Sequence, residues 1–359
     1  MKGDLIQQLL KTMVERNASD LHLTVGSPPT LRINEELTAL DLPALSAEDI
    51  RTQAYHLLNS EQIARFEKDL EMDMSFGMEG LGRFRVNVFI QRGSVGVAIR
   101  LLPSHIRSFE ECGLPPRTMA EICRRKKGMV LITGATGSGK STTMAAMVGW
   151  INQARRCHII TVEDPIEYVH ANQKAIIDQR EIGADTHSFS AALKHVLRED
   201  PNVILIGEMR DLETIEAALN IAETGHLVLA TLHTSDAVQT VNRIVDVFPE
   251  HQQQQVRIQL SFVLLAILAQ QLIPSADGME RRLGLEILVA TPAVRALIRE
   301  SKAHQIYSVI QTSQREGMRT MNQSIAELYR KKEISYEEAI VRSHDPEELL
   351  RLLQPGMTS

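Results

Sequence analysis

Aromatic residues are scarce: they make up 4% of the 359 residues, with a single tryptophan. So few flat side chains argue against a platform on which nucleic-acid bases stack. Cysteine is scarcer still. Cys112, Cys123 and Cys157 form no CxxC pair. They cannot build a four-cysteine zinc site, and an odd number closes no disulfide set. A reducing compartment, the cytoplasm, is therefore expected. There is no excess of positive charge either. Thirty-nine basic residues face 45 acidic ones, a net charge of −6, which argues against a DNA coat or a membrane-surface binder. The longest apolar run, "FVLLAILA" (262–269), falls well short of the roughly 20 residues that a membrane span needs. Near the start, Leu5, Ile6, Leu9, Leu10, Met13 and Val14 have helical spacing, and Asp4, Lys11 and Glu15 interrupt them. That pattern is no signal segment. No repeat or low-complexity tract is visible.

What is present is an ordinary globular composition, 43% hydrophobic and 23% charged, in a chain long enough for two domains. Residues 1–102 mix short helical and strand patterns. "RFRVNVFIQRGSVGVAIRLL" (83–102) is rich in β-branched residues with glycines at its middle, and predicts a hairpin. "PSHIRSFEECGLPP" (103–116) carries three prolines among polar residues and predicts a linker. From residue 117 to 359 the pattern changes. Short apolar runs at 128–134, 158–164, 202–208 and 226–232 end in Gly, acid or Thr. Helical patterns at 141–153, 188–198, 211–223 and 236–246 separate them. This alternation predicts a parallel sheet covered by helices, with ligands at the carboxyl ends of its strands. Beyond residue 250 the pattern is mostly helical, with a hairpin expected near 272–287.

"GATGSGKST" (134–142) follows an apolar strand and opens a helix, the context in which G-x-x-x-x-G-K-[ST] is a phosphate loop. Gly134, Ala135, Thr136, Gly137, Ser138, Gly139, Lys140, Ser141 and Thr142 form the nucleotide cradle. Backbone N–H groups turn inward around phosphate oxygens, and the helix start adds partial positive charge. Lys140 can reach the β- and γ-phosphates, and Ser141 can ligate Mg²⁺. ATP and Mg²⁺ are thus the expected cofactors. Hydrolysis of a γ-phosphate needs a positioned water and positive charge at the transition state. Glu163, in "TVEDPIEYVH", stands where a carboxylate could orient that water. Glu208, in "NVILIGEMRD", stands where an acid could hold hydrated Mg²⁺. Gly207 occupies the position where an aspartate usually follows the apolar run, so contact through water is expected. Asp164 and Glu167 suit helix caps or loop ion pairs as well as catalysis.

The phosphate loop, "VEDPIE", "LREDPNVILIGEMRD" and "GHLVLATLHT", in this order, resemble the secretion ATPase superfamily that drives type II secretion and type IV pili. "SDLHL" (19–23) and "AVRALIRE" (293–300) are similar to its pilus-retraction branch, whose members carry an "AIRNLIRE" element. The resemblance extends from about residue 5 to 350. It implies an N-terminal PAS-like α/β domain and a C-terminal RecA-like P-loop ATPase domain with a helical C-terminal part, assembled as a homohexamer. It also implies Glu163 as base, Glu208 as the Walker B acid, His226 and His233 as a histidine box, and Arg85 and Arg100 as candidate arginine fingers. The partners it implies are an inner-membrane platform protein and other pilus ATPases. The implied location is the cytoplasmic face of the inner membrane, with no nucleic acid and no zinc. Asn202 stands where the family has aspartate. Val294 and Ala296 replace Ile and Asn in "AIRNLIRE", which puts any role of that asparagine in doubt. Assembly-type relatives often carry a tetracysteine zinc module, and this chain lacks one.

His226 and His233 are seven apart in an extended stretch, so they point to opposite faces and toward opposite ends, and a shared metal is disfavoured. His233 lies past the carboxyl end and can report the γ-phosphate or bond Glu208, or serve as a satisfied structural histidine. His226, at the strand's start, suits a structural or subunit-interface role. "RRKK" (124–127) suits a solvated helix end. The expected activity is a Mg²⁺-dependent ring ATPase that retracts pili, with nucleotide between neighbouring subunits and domain closure about the linker. The rivals are an extension or secretion relative, an accessory nucleotide-sensing ring subunit and a phosphoryl-transfer kinase.

Overall fold

The computed structural model describes residues 5–33, 36–103 and 105–354. Contacts divide the chain into two units, Met1–His105 with Glu167–Val169, and Ile106–Ile166 with His170–Ser359.

The first unit opens with α1 (Leu5–Glu15), whose helical spacing buries Ile6, Leu9, Leu10 and Met13. Then come β1 (Asp20–Leu23), β2 (Thr30–Ile33), β3 (Glu36–Ala39), α2 (Ala47–Leu57), α3 (Ser60–Asp69), β4 (Glu71–Met78), β5 (Gly82–Gln91) and β6 (Ser94–Leu101). The strands make one antiparallel sheet in the order β3-β2-β1-β6-β5-β4. Strands β5 and β6 form the predicted hairpin. Its turn needs positive φ at Arg92 (49°) and Gly93 (73°), as a two-residue turn with right-handed strands does. Period-2 alternation sends Phe84, Val86, Val88, Val97 and Ile99 into the core and leaves Arg85 and Arg100 exposed on the opposite face.

The second unit comprises α4 (Pro116–Cys123), β7 (Gly128–Thr133), α5 (Lys140–Ala154), β8 (His158–Glu163), β9 (Ile176–Glu181), α6 (Phe189–Val196), β10 (Val203–Ile206), α7 (Leu212–Glu223), β11 (Leu227–Leu232), α8 (Ala237–Asp246), α9 (Glu250–Val263), β12 (Leu264–Pro274) and β13 (Arg281–Val289). Helices α10 (Pro292–Arg299), α11 (Ile306–Thr312), α12 (Met321–Arg330), α13 (Tyr336–Arg342) and α14 (Pro346–Leu353) close it. The sheet runs β13-β12-β7-β11-β10-β8-β9. All neighbours are parallel except the β12–β13 hairpin. Every residue of β7, β10 and β11 is buried, the mark of strands covered on both faces. Met129, Leu131, Ile204, Ile206, Val228 and Ala230 meet α6, α7, α8 and α9. Val130, Ile132, Val203, Leu205 and Leu229 meet α4 and α5 on the other side.

The architecture is the predicted mixed α/β one, an N-terminal domain followed by a P-loop sheet. It differs from the sequence reading in two places. The apolar run at 262–269 enters β12, so the hairpin spans Leu264–Val289 and its first strand lies parallel to β7. Strand β9, "IIDQRE", was not foreseen; among the described residues it pairs with β8 alone, at the sheet edge. Within the segment 103–116, Phe109 and Leu114 are buried in the second unit's core, and Phe109 stacks on Trp150 at 6.4 Å. Among the described residues no helix is long and apolar enough to cross a membrane.

His170 is 8% exposed, and burial lowers its pKa from 6.5 to about 4. An imidazole kept neutral in the fold protonates on unfolding, so the stability it contributes is present above pH 6.5 and is lost as pH falls toward 4. Thermal melts across that window should show a steeper acid loss for the parent than for His170→Asn.

Candidate active site

A parallel sheet ends all its strands at one edge. Here that edge carries, strand by strand, the phosphate loop after β7, His233 after β11, Glu208 after β10 and Glu163 at the end of β8. Loop 134–139 needs its glycines for distinct reasons. Gly134 has φ +140°, and a Cβ there would lie 2.3 Å from the Gln270 carbonyl oxygen and 2.5 Å from Ser138 Oγ. Gly139 caps α5 in the left-handed region at φ 90°. Lys140 is 9% exposed. Its ammonium donates to the Gly134 carbonyl at 2.8 Å and the Ala135 carbonyl at 2.9 Å. One turn on, the Thr143 hydroxyl accepts from Gln270 Nε2 at 2.7 Å, which fastens α5 to β12. Ala135, Thr136 and Gly137 are exposed, while Ser138 is buried, and Ser141 and Thr142 stand half-buried at the helix start.

Glu208 sits past the end of β10 and is held on two sides. Arg210 reaches it with Nε on Oε1 at 2.7 Å and a second guanidinium nitrogen on Oε2 at 2.8 Å. His233 Nε2 lies 3.1 Å from Oε1. Partial burial pushes the Glu208 carboxyl up, but Arg210 and His233 outweigh it and hold the group below its usual range. Glu208 in turn pushes the Arg210 guanidinium up, and the Asp164 charge adds to this. Gly207 explains itself by crowding: a Cβ would come within 3.2 Å of Glu163 Cα and of the Val162 carbonyl oxygen. A side chain at that place would have to shift this backbone by a few tenths of an ångström, and the acid stands one residue later. The Gly207 carbonyl accepts from the Thr231 hydroxyl at 2.5 Å, tying the Glu208 turn to β11. Glu163 Oε1 accepts from the Thr161 hydroxyl at 2.7 Å and from Gln179 Nε2 at 3.2 Å. Asp164 and Glu167 are exposed.

His226 precedes β11 at the opposite edge, its Nδ1 3.1 Å from the Thr224 hydroxyl oxygen and 3.2 Å from the Ile221 carbonyl. The two histidines therefore share nothing. "RRKK" also lies at that opposite edge. Arg124 caps α4, and Arg125, Lys126 and Lys127 line a 390 Å³ cavity with Phe262 and Arg295. In the first unit Arg85 and Arg100 are directly opposed across β5 and β6. Arg100 Nε donates to Asp20 Oδ1 at 2.8 Å, and Arg32 lies 3.8 Å from the other oxygen. The sequence reading missed Arg210 and Gln270. The "EMRD" tetrapeptide was the signal for the first. The glutamine pair that interrupts the apolar strand "LLAILAQQLIP" was the signal for the second. Among the described residues no group of three or more His, Cys, Asp or Glu is arranged to hold a metal ion.

The family described as "Type II/IV secretion system protein" matches residues 2–341. The chain is 45% identical over 346 residues to the "Type IV pilus retractation ATPase PilT" of Pseudomonas aeruginosa, covering 95% of this chain and 99% of that protein. It is 45% identical over 344 residues to a "Twitching motility protein" of Neisseria gonorrhoeae, covering 96% and 92%. Among solved structures it is similar to that of the pilus retraction motor PilT with bound ADP, with a TM-score of 0.91 and 50% identity over 96% of this chain and 99% of that one.

Gly134→Ala should weaken nucleotide binding at least about tenfold, because the new methyl must push strand backbone at Gln270 as well as the Ser138 side chain. Titration with a fluorescent ADP analogue measures it, with Gly137→Ala as the milder comparison, since nothing lies within 4 Å of a Cβ there.

Proposed function

This chain belongs to the type II/IV secretion system protein family, and from that premise we propose how its residues divide the work of an ATP-driven pilus retraction motor. It is an ATPase of the pilus-retraction type, the kind of protein that serves twitching motility. The observation that carries the assignment is the line of Lys140, His233, Glu208 and Glu163 on four consecutive strands of one sheet edge. The triphosphate lies along residues 134–142 and draws Lys140 onto its β- and γ-oxygens. Two buried hydroxyls without a hydrogen-bond partner among the described residues, Thr133 Oγ1 and Ser138 Oγ, are donors suited to the same anion. Glu163, already accepting two hydrogen bonds, orients the attacking water and takes its proton. His233 senses the γ-phosphate through the Glu208 carboxylate it touches.

Mg²⁺ suits this edge: Ser141 would hold it directly and Glu208 through water, and it supplies neutralising charge to the phosphates. Glu208 is fit for that role because Arg210 and His233 keep it ionised. Arg85 and Arg100 act in trans. They are exposed side by side on a sheet face, and Arg100 would exchange its Asp20 partner for a neighbour's nucleotide once subunits form a homohexameric ring. An arginine so placed offsets charge that develops in the transition state. The working units are the N-terminal domain (1–102) and the ATPase domain (117–359), with 103–116 between them. ATP closes the N-domain of one subunit on the ATPase domain of the next, and hydrolysis with release reopens them. The ring transmits this motion to an inner-membrane platform protein from the cytoplasmic side.

In purified rings, Glu163→Gln should lower kcat by about 10²- to 10⁴-fold while ADP binding persists. Glu208→Ala should abolish both turnover and fibre retraction in cells; turnover surviving in that variant overturns its assignment. Arg85→Ala or Arg100→Ala subunits mixed with Lys140→Ala subunits should regain part of the lost turnover. Intact mixed rings without recovery remove the trans role.

A further inference from the structure

Glu286 is a carboxylate in the interior of β13, 2% exposed, in the otherwise apolar stretch "LGLEILV". Burying a carboxyl among aliphatic neighbours is costly unless hydrogen bonds compensate for lost water. Its compensation comes from helix starts. Oε1 accepts the backbone N–H of Ala237, the first residue of α8, at 2.9 Å. The backbone of Met321, the first residue of α12, also favours the charged form. Both are helix N-termini, where unpaired N–H groups and partial positive charge favour an acid. Against this, burial first, and then the Asp236 and Glu348 charges, push the Glu286 carboxyl up to about 7. Glu348, on α14, is itself gripped by the Tyr307 hydroxyl of α11, Gln311 Nε2 at 2.8 Å and Asn322 Nδ2 at 2.5 Å.

Ala237 ends the short loop that begins with His233. The Thr234 hydroxyl of that loop lies 2.7 Å from the Thr240 hydroxyl of α8, and Thr240 donates to the Asp236 carbonyl at 2.7 Å. The loop is therefore tied at both ends, to Glu208 through His233 and to β13 through Ala237. Resting on the catalytic reading above, we propose that Glu286 is a positioning residue for ATP hydrolysis. By holding the first N–H of α8 it sets the height of the His233 loop against Glu208, and it ties that loop to the start of α12 and so to the C-terminal helices. A purely structural tenant of this site would lend stability without touching turnover.

The test uses the full-length ring and measures kcat and KM for ATP. Glu286→Ala should lower kcat about tenfold with KM changed less than about twofold, as expected when a group is displaced and substrate binding is spared. Glu286→Gln should recover most of that loss, because its amide oxygen can still accept from Ala237. In a His233→Ala background, Glu286→Ala should add nothing further. Unchanged kcat in folded Glu286→Ala rings overturns the proposal. So does an equal tenfold loss on top of His233→Ala, or a glutamine as damaging as alanine. Where circular dichroism finds Glu286→Ala unfolded, Glu286→Asp replaces it. Withdrawing the carboxylate by one methylene should cost at least about threefold in kcat in the parent and nothing in His233→Ala. An equal cost in both backgrounds, or none in the parent, again overturns it. A parent protein that hydrolyses no ATP would instead overturn the proposed function, so the two failures are distinct.

Discussion

The constraint on which the rest depends is directional. In a parallel sheet all carboxyl ends face the same way, so chemistry placed after successive strands converges without any long-range search by loops. Strands β7, β11, β10 and β8 are adjacent and parallel. Residues as distant in sequence as Lys140 and His233 thus become neighbours along one edge. The buried aliphatics of those strands hold the alignment, since a slip of one residue would turn an inward face toward the wrong layer of helices. Rigidity is then spent at the edge in side-chain hydrogen bonds, such as Gln270 to Thr143 and Thr231 to Gly207.

Much of this was readable beforehand, for physical reasons specific to each element. The four central strands are short, apolar and bounded by glycine or acid, which leaves little ambiguity. The phosphate loop needs glycines that no other context explains. The hairpin of β5 and β6 was legible because both faces alternate and Arg92–Gly93 breaks the run. Strand β9 was not legible: "IIDQRE" covers an edge, buries Ile177 and Glu181 only, and is as polar as a loop. The start of β12 was lost for the opposite reason, since an apolar run that leaves a helix and enters a strand has no periodicity to choose between them.

At the site, residue identities were more legible than their contacts. Glu208 could be named from its place after an apolar run, but nothing in "GEMRD" says that Arg210 folds back two residues to clasp it. Gly207 stood out as a departure from the usual acid, and only three-dimensional crowding against Glu163 gives the reason. Glu286 and Gln270 were hidden because a polar residue in an apolar strand has many explanations. Their partners lie 49 and 127 residues away in sequence. Arg100 was readable as an exposed strand arginine. Its anchoring by Asp20, shared with Arg32, depends on cross-strand register.

The lysine of the phosphate loop has a thermodynamic consequence of its own. Its ammonium already satisfies two carbonyls of the very loop it serves, so an arriving triphosphate does not find an idle cation but must win one by exchange. Affinity at this cradle is therefore a difference between two occupied arrangements. A nucleoside without phosphates has nothing to offer in the exchange. On the proposed nucleotide assignment, the loop would thereby discriminate by charge before any contact with the base.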